Sequence, residues 1–192
     1  MNTHMPHPPS EDMWHWGIPM RRWATYSTIT GHRAASVPAR MSPISLPLKR
    51  YYESGGVDRL ADRLENEIRP HIAAVLRGIR DRAPRARIVV IDYASPLPES
   101  GSCYPAAPFA RGDVPYVRSV IGRLAAVQLD EARRAGAIGV DVFGVPGHDM
   151  CQPVGPRWIE PLIPAAATTP FHPNVTATAA IARMVVAALD SN

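Results

Sequence analysis

The sequence predicts an α/β fold, a parallel sheet with helices packed on its faces. Three observations carry this. Apolar residues recur three or four apart over three long stretches, and two short β-branched runs lie between those stretches. The resulting order of helix, strand, helix, strand, helix is the pattern of a parallel sheet with helical crossovers. The two longest loops, 93–112 and 144–170, leave the carboxyl ends of the strands. Folds of this type gather their chemistry there, and ordered loops of that length are usually functional.

The first helix follows Ser54-Gly55-Gly56. From Val57 onward apolar residues fall at positions 57, 60, 64, 68, 72, 75 and 79, with charges such as Asp58, Arg59, Asp62, Arg63, Glu65 and Glu67 on the other face. This spacing predicts an amphipathic helix to about Asp81, bent or divided at Pro70. Ala83-Pro84-Arg85 stops it, and Ile88–Ile91 is a strand of the kind covered on both faces. Asp113 can cap the second helix, Pro115 is tolerated in its first turn, and Val117, Val120, Ile121, Leu124, Val127 and Ala132 form its buried stripe. Gly136 supplies the left-handed stop, Ile138–Phe143 is the second strand, and an apolar run from Val175 to Leu189 is the last helix. Two strands alone do not make a stable sheet, so part of the fold's usual complement is expected to be missing.

Residues 1–50 are different in kind, and are expected to be irregular. They hold seven of the 21 prolines and show neither helical nor alternating periodicity. They also carry the excess charge, six basic residues against two acids, whereas residues 51–192 balance at fifteen against fifteen. The main body therefore has no nucleic-acid footprint. His4, His7 and His15 lack the fixed spacing of a metal site, and Trp14, Trp16, Arg21, Arg22 and Trp23 lack the amphipathic period of a membrane-surface helix. No metal or cofactor is expected. No run of eighteen apolar residues exists, so no membrane span is expected, and the first twenty residues lack the pattern of a secretory signal. The only cysteines, Cys103 and Cys151, do not make a metal spacing.

The candidate functional residue is His172, in Thr168-Thr169-Pro170-Phe171-His172-Pro173-Asn174. Asn174 can cap the last helix, and a proline at or near its first turn marks the start, so His172 sits on a loop at a helix mouth. A structural imidazole bonded to a backbone carbonyl would suit the same position.

Three blocks together resemble the SGNH hydrolases, the GDSL-type esterases and lipases. Arg85-Ala86-Arg87-Ile88-Val89-Val90-Ile91-Asp92-Tyr93 resembles the penultimate strand of that family. Gly147-His148-Asp149-Met150-Cys151 followed by Arg157-Trp158-Ile159-Glu160-Pro161-Leu162 also resembles that family, and Phe171-His172-Pro173-Asn174 resembles its last block. The resemblance covers about residues 57–190. It implies a three-layer α/β/α sandwich with a flavodoxin-like parallel sheet, present as its C-terminal part over residues 51–192 and lacking its N-terminal half. It also implies cleavage of a small-molecule ester or lipid, with His172 as the general base that takes a serine proton. Relatives of this look are commonly exported and bridge equivalent loops, which implies a Cys103–Cys151 disulfide; two buried free thiols are the alternative.

Other family blocks are absent. No Gly-Asp-Ser occurs, the Gly-x-Asn-Asp block of the oxyanion hole is missing, and Thr169 stands where the family often has an Asp three residues before the His. Some members orient that His by a backbone carbonyl instead. Asp149 is expected to be a structural hydrogen-bonder. The alternative function is a catalytically inactive remnant, or a serine such as Ser54, Ser95, Ser100 or Ser102 acting as nucleophile, with Ser95 and Ser102 the better placed.

Overall fold

The computed structural model describes residues 48–191. The irregular segment expected over 1–50 and the His4, His7 and His15 cluster therefore lie outside the described residues, except that Leu48–Tyr52 form a short helix, α1.

The amphipathic stretch is divided as Pro70 requires. Helix α2, Arg59–Arg63, leads into a π-helical turn, Leu64–Ile68, and then into α3, Arg69–Arg82. Pro70 has no N–H, and its ring crowds the carbonyl four residues earlier, so one helical bond cannot form. The wider turn absorbs the mismatch: Arg69 N–H reaches back five residues to the Leu64 carbonyl. Asp58 is not the solvated charge that the sequence pattern suggests. Its carboxylate accepts from the N–H groups of Leu60 and Ala61, capping α2, and from the Tyr116 hydroxyl at 3.0 Å. Burial alone would raise the Asp58 pKa, but these bonds and the Arg123 charge hold it below the usual carboxylate range.

Helix α4, Val114–Arg134, starts with Pro115 in its first turn, and Gly136 adopts the left-handed conformation, φ +62°, just past its end. Asp113 makes no side-chain capping bond; it is buried in a helical conformation, and its backbone carbonyl accepts from Val117 instead. The predicted single stripe is also corrected. Val127 and Ala132 are buried, whereas Val117, Ile121 and Leu124 are half-buried and line a cleft. The buried positions of α4 also include Tyr116, Ala125 and Glu131, because the helix meets α3 on one side and both strands on another. Arg69 ties α3 to α4 through Asp130 and buried Glu131, at 2.6 and 2.9 Å.

Among the described residues the sheet has two parallel strands, β1 (Val89–Ile91) and β2 (Ile138–Val140), with Val89 opposite Ile138 and Ile91 opposite Val140. The second strand is shorter than its sequence run to Phe143, and the cause is Asp92. Its carboxylate accepts from the N–H groups of Val142, at 2.6 Å, and Phe143, at 3.1 Å, so a side chain replaces the ladder. The other Asp92 oxygen is buried with no partner among the described residues. Burial first, then the nearby Asp141 carboxylate, raises the Asp92 pKa against the two N–H bonds. Asp92→Asn keeps an acceptor for both N–H groups and removes the buried charge. It should raise the free energy of urea unfolding at pH 7 by on the order of 1 kcal/mol, because burial disfavours an ionised carboxylate more than a neutral amide. The sign follows from the raised pKa: the cost falls on the ionised form, so the gain should vanish as acid protonates wild-type Asp92. A midpoint lowered at pH 7 would contradict this account.

Helix α5, Val175–Asp190, packs against β2. The deepest core lies beyond the strand ends rather than between the helices. Leu97, Met150, Trp158 and Ile159 come from the long loops and, with Val142 just past β2, meet Val114 and Ala177 at the starts of α4 and α5. Leu97 and Ile159 are wholly buried, each worth about 1.5–3 kcal/mol of apolar transfer. The α3 stripe, by contrast, is partly open: Val75 and Ile79 are exposed along a groove beside β1.

Candidate active site

The site is built on the start of α5. Asn174 is its cap, with the side-chain oxygen accepting from Ala177 N–H at 3.0 Å. Pro173 lies before the cap rather than inside the first turn, and pairs with Ile159 in an antiparallel bridge. Around that bridge Glu160 N–H donates to the His172 carbonyl (3.0 Å), Phe171 N–H to the Glu160 carbonyl (2.9 Å), and Asn174 N–H to the Trp158 carbonyl (2.8 Å). Segment 158–160 thus grips the backbone on both sides of His172. Phe171 is held at φ +64°, a conformation costly for a large side chain, and its carbonyl accepts from the Tyr93 hydroxyl at 2.8 Å.

His172 is exposed, and its Nδ1 lies 2.9 Å from the Pro170 carbonyl. A carbonyl only accepts, so Nδ1 carries the proton and the neutral ring presents the Nε2 lone pair. That is the tautomer a general base needs. Next to it in sequence, Phe171 lines, with Tyr93, an apolar cleft of about 430 Å³ shared with Leu97, Phe109, Ile121 and Met150.

The two long loops are fastened to each other. Cys103 and Cys151 form a disulfide with their Cα atoms 5.5 Å apart, as the family resemblance implied. Leu162 N–H adds a bond to the Ala106 carbonyl. Asp149 is the structural hydrogen-bonder expected of it, accepting from Cys151 N–H (2.9 Å) and the Gln152 amide (3.0 Å). His148 stacks flat on Trp158, ring centroids 4.0 Å apart, and its Nδ1 meets the Pro156 carbonyl.

The serines are not brought to the histidine by any hydrogen bond among the described residues. Ser95 is buried; its hydroxyl donates to the Leu97 carbonyl and accepts from Arg118. Ser54 donates to the Tyr51 carbonyl, and Ser100 and Ser102 are exposed on the 93–112 loop. Among the described residues no His, Cys, Asp and Glu side chains cluster as a metal site, and no helix is long and apolar enough to cross a membrane.

Sequence reasoning assigned no part to Arg157 and Glu160. Both are buried, and Arg157 meets the Glu160 carboxylate through Nε at 3.2 Å and Nη2 at 2.9 Å. The signal was present: two opposite charges three apart, flanking Trp158-Ile159 in a proline-rich loop with few other charges.

A parallel sheet with helices packed against it, whose carboxyl-end loops carry an exposed histidine next to Phe171 of the apolar cleft, is an α/β frame. The chain belongs to the GDSL-like lipase/acylhydrolase family, whose model matches residues 29–180. It is 40% identical over 116 residues to Lipase 2 of Streptomyces coelicolor, a match covering 59% of this chain and 39% of that protein. Its fold is similar to that of phospholipase A1 from Streptomyces albidoflavus (TM-score 0.56, 20% identity) and of an extracellular lipase from Streptomyces rimosus (TM-score 0.53, 21% identity). Each of these matches covers 68% of this chain and 53% of the other. The chain thus spans about half the length of these solved relatives, and less of Lipase 2.

Proposed function

We propose that this chain is the C-terminal part of a three-layer α/β/α ester hydrolase in which His172 is the general base. Residues 51–192 belong to that domain, and the substrate is an ester, of a small molecule or a lipid, with an apolar acyl group. The observation that carries this is the Nδ1–H bond of His172 to the Pro170 carbonyl, which leaves the Nε2 lone pair free to accept a proton one residue from Phe171, a lining residue of the apolar cleft. Nε2 would take the proton of an attacking hydroxyl and later return it to the leaving alcohol. The backbone carbonyl does the orienting work that an Asp at position 169 would do. No cofactor enters this chemistry.

Among the described residues no serine is bonded to that base, and this favours a second reading, an inactive remnant. Nucleophile, base and oxyanion donors act as a unit, and the loss of one removes most of the benefit of the others. The purified chain should therefore cleave p-nitrophenyl esters no faster than free imidazole does. Turnover well above that level, abolished by His172→Ala, would make one of the serines the nucleophile. The base role is tested separately in a chimera of Lipase 2 in which residues 57–190 of this chain replace the equivalent stretch. The chimera should retain ester turnover and lose it by about 10³-fold or more with His172→Ala. Turnover indifferent to that substitution would remove His172 from the mechanism.

A further inference from the structure

Behind His172 lies a buried polar cluster that catalysis does not touch directly. Glu160 is 2% exposed, and Arg157 and Asn174 are each 8% exposed. The Glu160 carboxylate accepts four bonds: two from Arg157, one from Asn174 Nδ2 at 2.9 Å, and one from Ala165 N–H at 2.8 Å. Asn174 Nδ2 also donates to the Arg157 carbonyl at 2.9 Å, while Asn174 Oδ1 caps α5. The same residues therefore join the 157–165 loop, the His172 turn and the helix start. Their backbone bonds complete the link: Glu160 N–H holds the His172 carbonyl, and the Glu160 carbonyl holds Phe171 N–H.

From this geometry we infer that Glu160, clamped by Arg157 and Asn174, is the positioning residue of His172. The inference rests on His172 being the base, but it concerns the shape of the turn rather than the chemistry. The Pro170 carbonyl can fix the imidazole tautomer only while residues 170–172 keep their turn. Phe171 in its left-handed conformation has no intrinsic reason to stay there. The turn is held from outside, by the segment that the Glu160 carboxylate anchors. Glu160→Gln would set an amide N–H₂ against Arg157 or Ala165, both donors, and so loosen that anchor.

The experiment reads the tautomer, not turnover. In the ¹⁵N-labelled full chain at a pH where the ring is neutral, the Nδ1–H form of His172 should predominate. In Glu160→Gln the ratio of Nδ1–H to Nε2–H forms should fall by roughly five- to tenfold, the equivalent of one hydrogen bond. Should that variant fail to fold, Asn174→Ser serves: serine still caps α5 but its shorter side chain lacks the amide that bridges Glu160 and the Arg157 carbonyl, and the same shift is expected. Glu131→Gln disturbs an equally buried carboxylate, paired with Arg69 and Arg134, and should lower stability without moving the His172 ratio. A folded Glu160→Gln or Asn174→Ser variant with the wild-type ratio overturns the inference. If the Lipase 2 chimera proves indifferent to His172 while Glu160→Gln still shifts the ratio, positioning stands and the general-base reading falls. If the chimera needs His172 but neither its turnover nor the ratio responds to Glu160→Gln, the positioning role falls and the base stands.

Discussion

Arg157→Ala should destabilise the chain by about 3–5 kcal/mol, the cost of removing one partner from a buried ion pair. The reason is what stays behind. Glu160 would remain a buried anion with only Asn174 and Ala165 to satisfy it. A further signature comes from pH. Burial would raise the Glu160 pKa, but the bonds from Asn174, Ala165 and Arg157 outweigh it and hold the value at about 2 against an ordinary 4.5. A carboxylate with a depressed folded-state pKa contributes stability above its unfolded pKa and loses it as pH falls towards the folded one. Wild type should therefore lose on the order of 3 kcal/mol from this group between about pH 5 and pH 2. Arg157→Ala should lose less over the same range, because part of that stability is already gone. Urea unfolding at neutral and acid pH checks both statements. Equal acid sensitivity in the two proteins would show that Arg157 does not sustain the Glu160 charge.

Breaking the Cys103–Cys151 bridge should have an effect of similar size. The bond closes a loop with a sequence separation of 48, which corresponds to about 4 kcal/mol of restricted unfolded-state entropy on the chain-entropy model. The double replacement by alanine should lower the urea midpoint accordingly, and reductant should lower the wild type to match it. Both ends of the bridge lie in the loops that supply Leu97, Met150 and Ile159 to the core. Local loosening should then show as faster amide exchange over 93–112 and 144–170 than over α4. A midpoint unmoved by reduction would mean that loop packing alone carries the ends of the sheet.

Much of the frame was legible in the sequence because it depends on local patterns. The period of apolar residues marks the helices, the β-branched run Ile88–Ile91 marks β1, and Gly136 marks the end of α4. Asn174 is read correctly as a cap, since the N–H it satisfies is only three residues away. The division at Pro70 is equally local. His172 came from a short motif and its place before a helix, and the cysteine pairing from resemblance to a family.

The tertiary structure decided everything that depends on distant partners. The β2 run continues to Phe143 in sequence, but Asp92, fifty residues earlier, takes its N–H groups and ends the strand. Asp58 looks solvated by helical spacing and is instead bonded to Tyr116 on another helix. Arg157 and Glu160 are three apart, but their burial depends on Asn174 folding back over them, and no periodicity encodes that. Ser95 follows β1 closely enough to suggest a nucleophile, yet Arg118 engages its hydroxyl. Residue type and spacing determine which elements form. Which polar groups then meet is set by long-range packing, because a buried donor or acceptor must find its partner wherever the fold brings one.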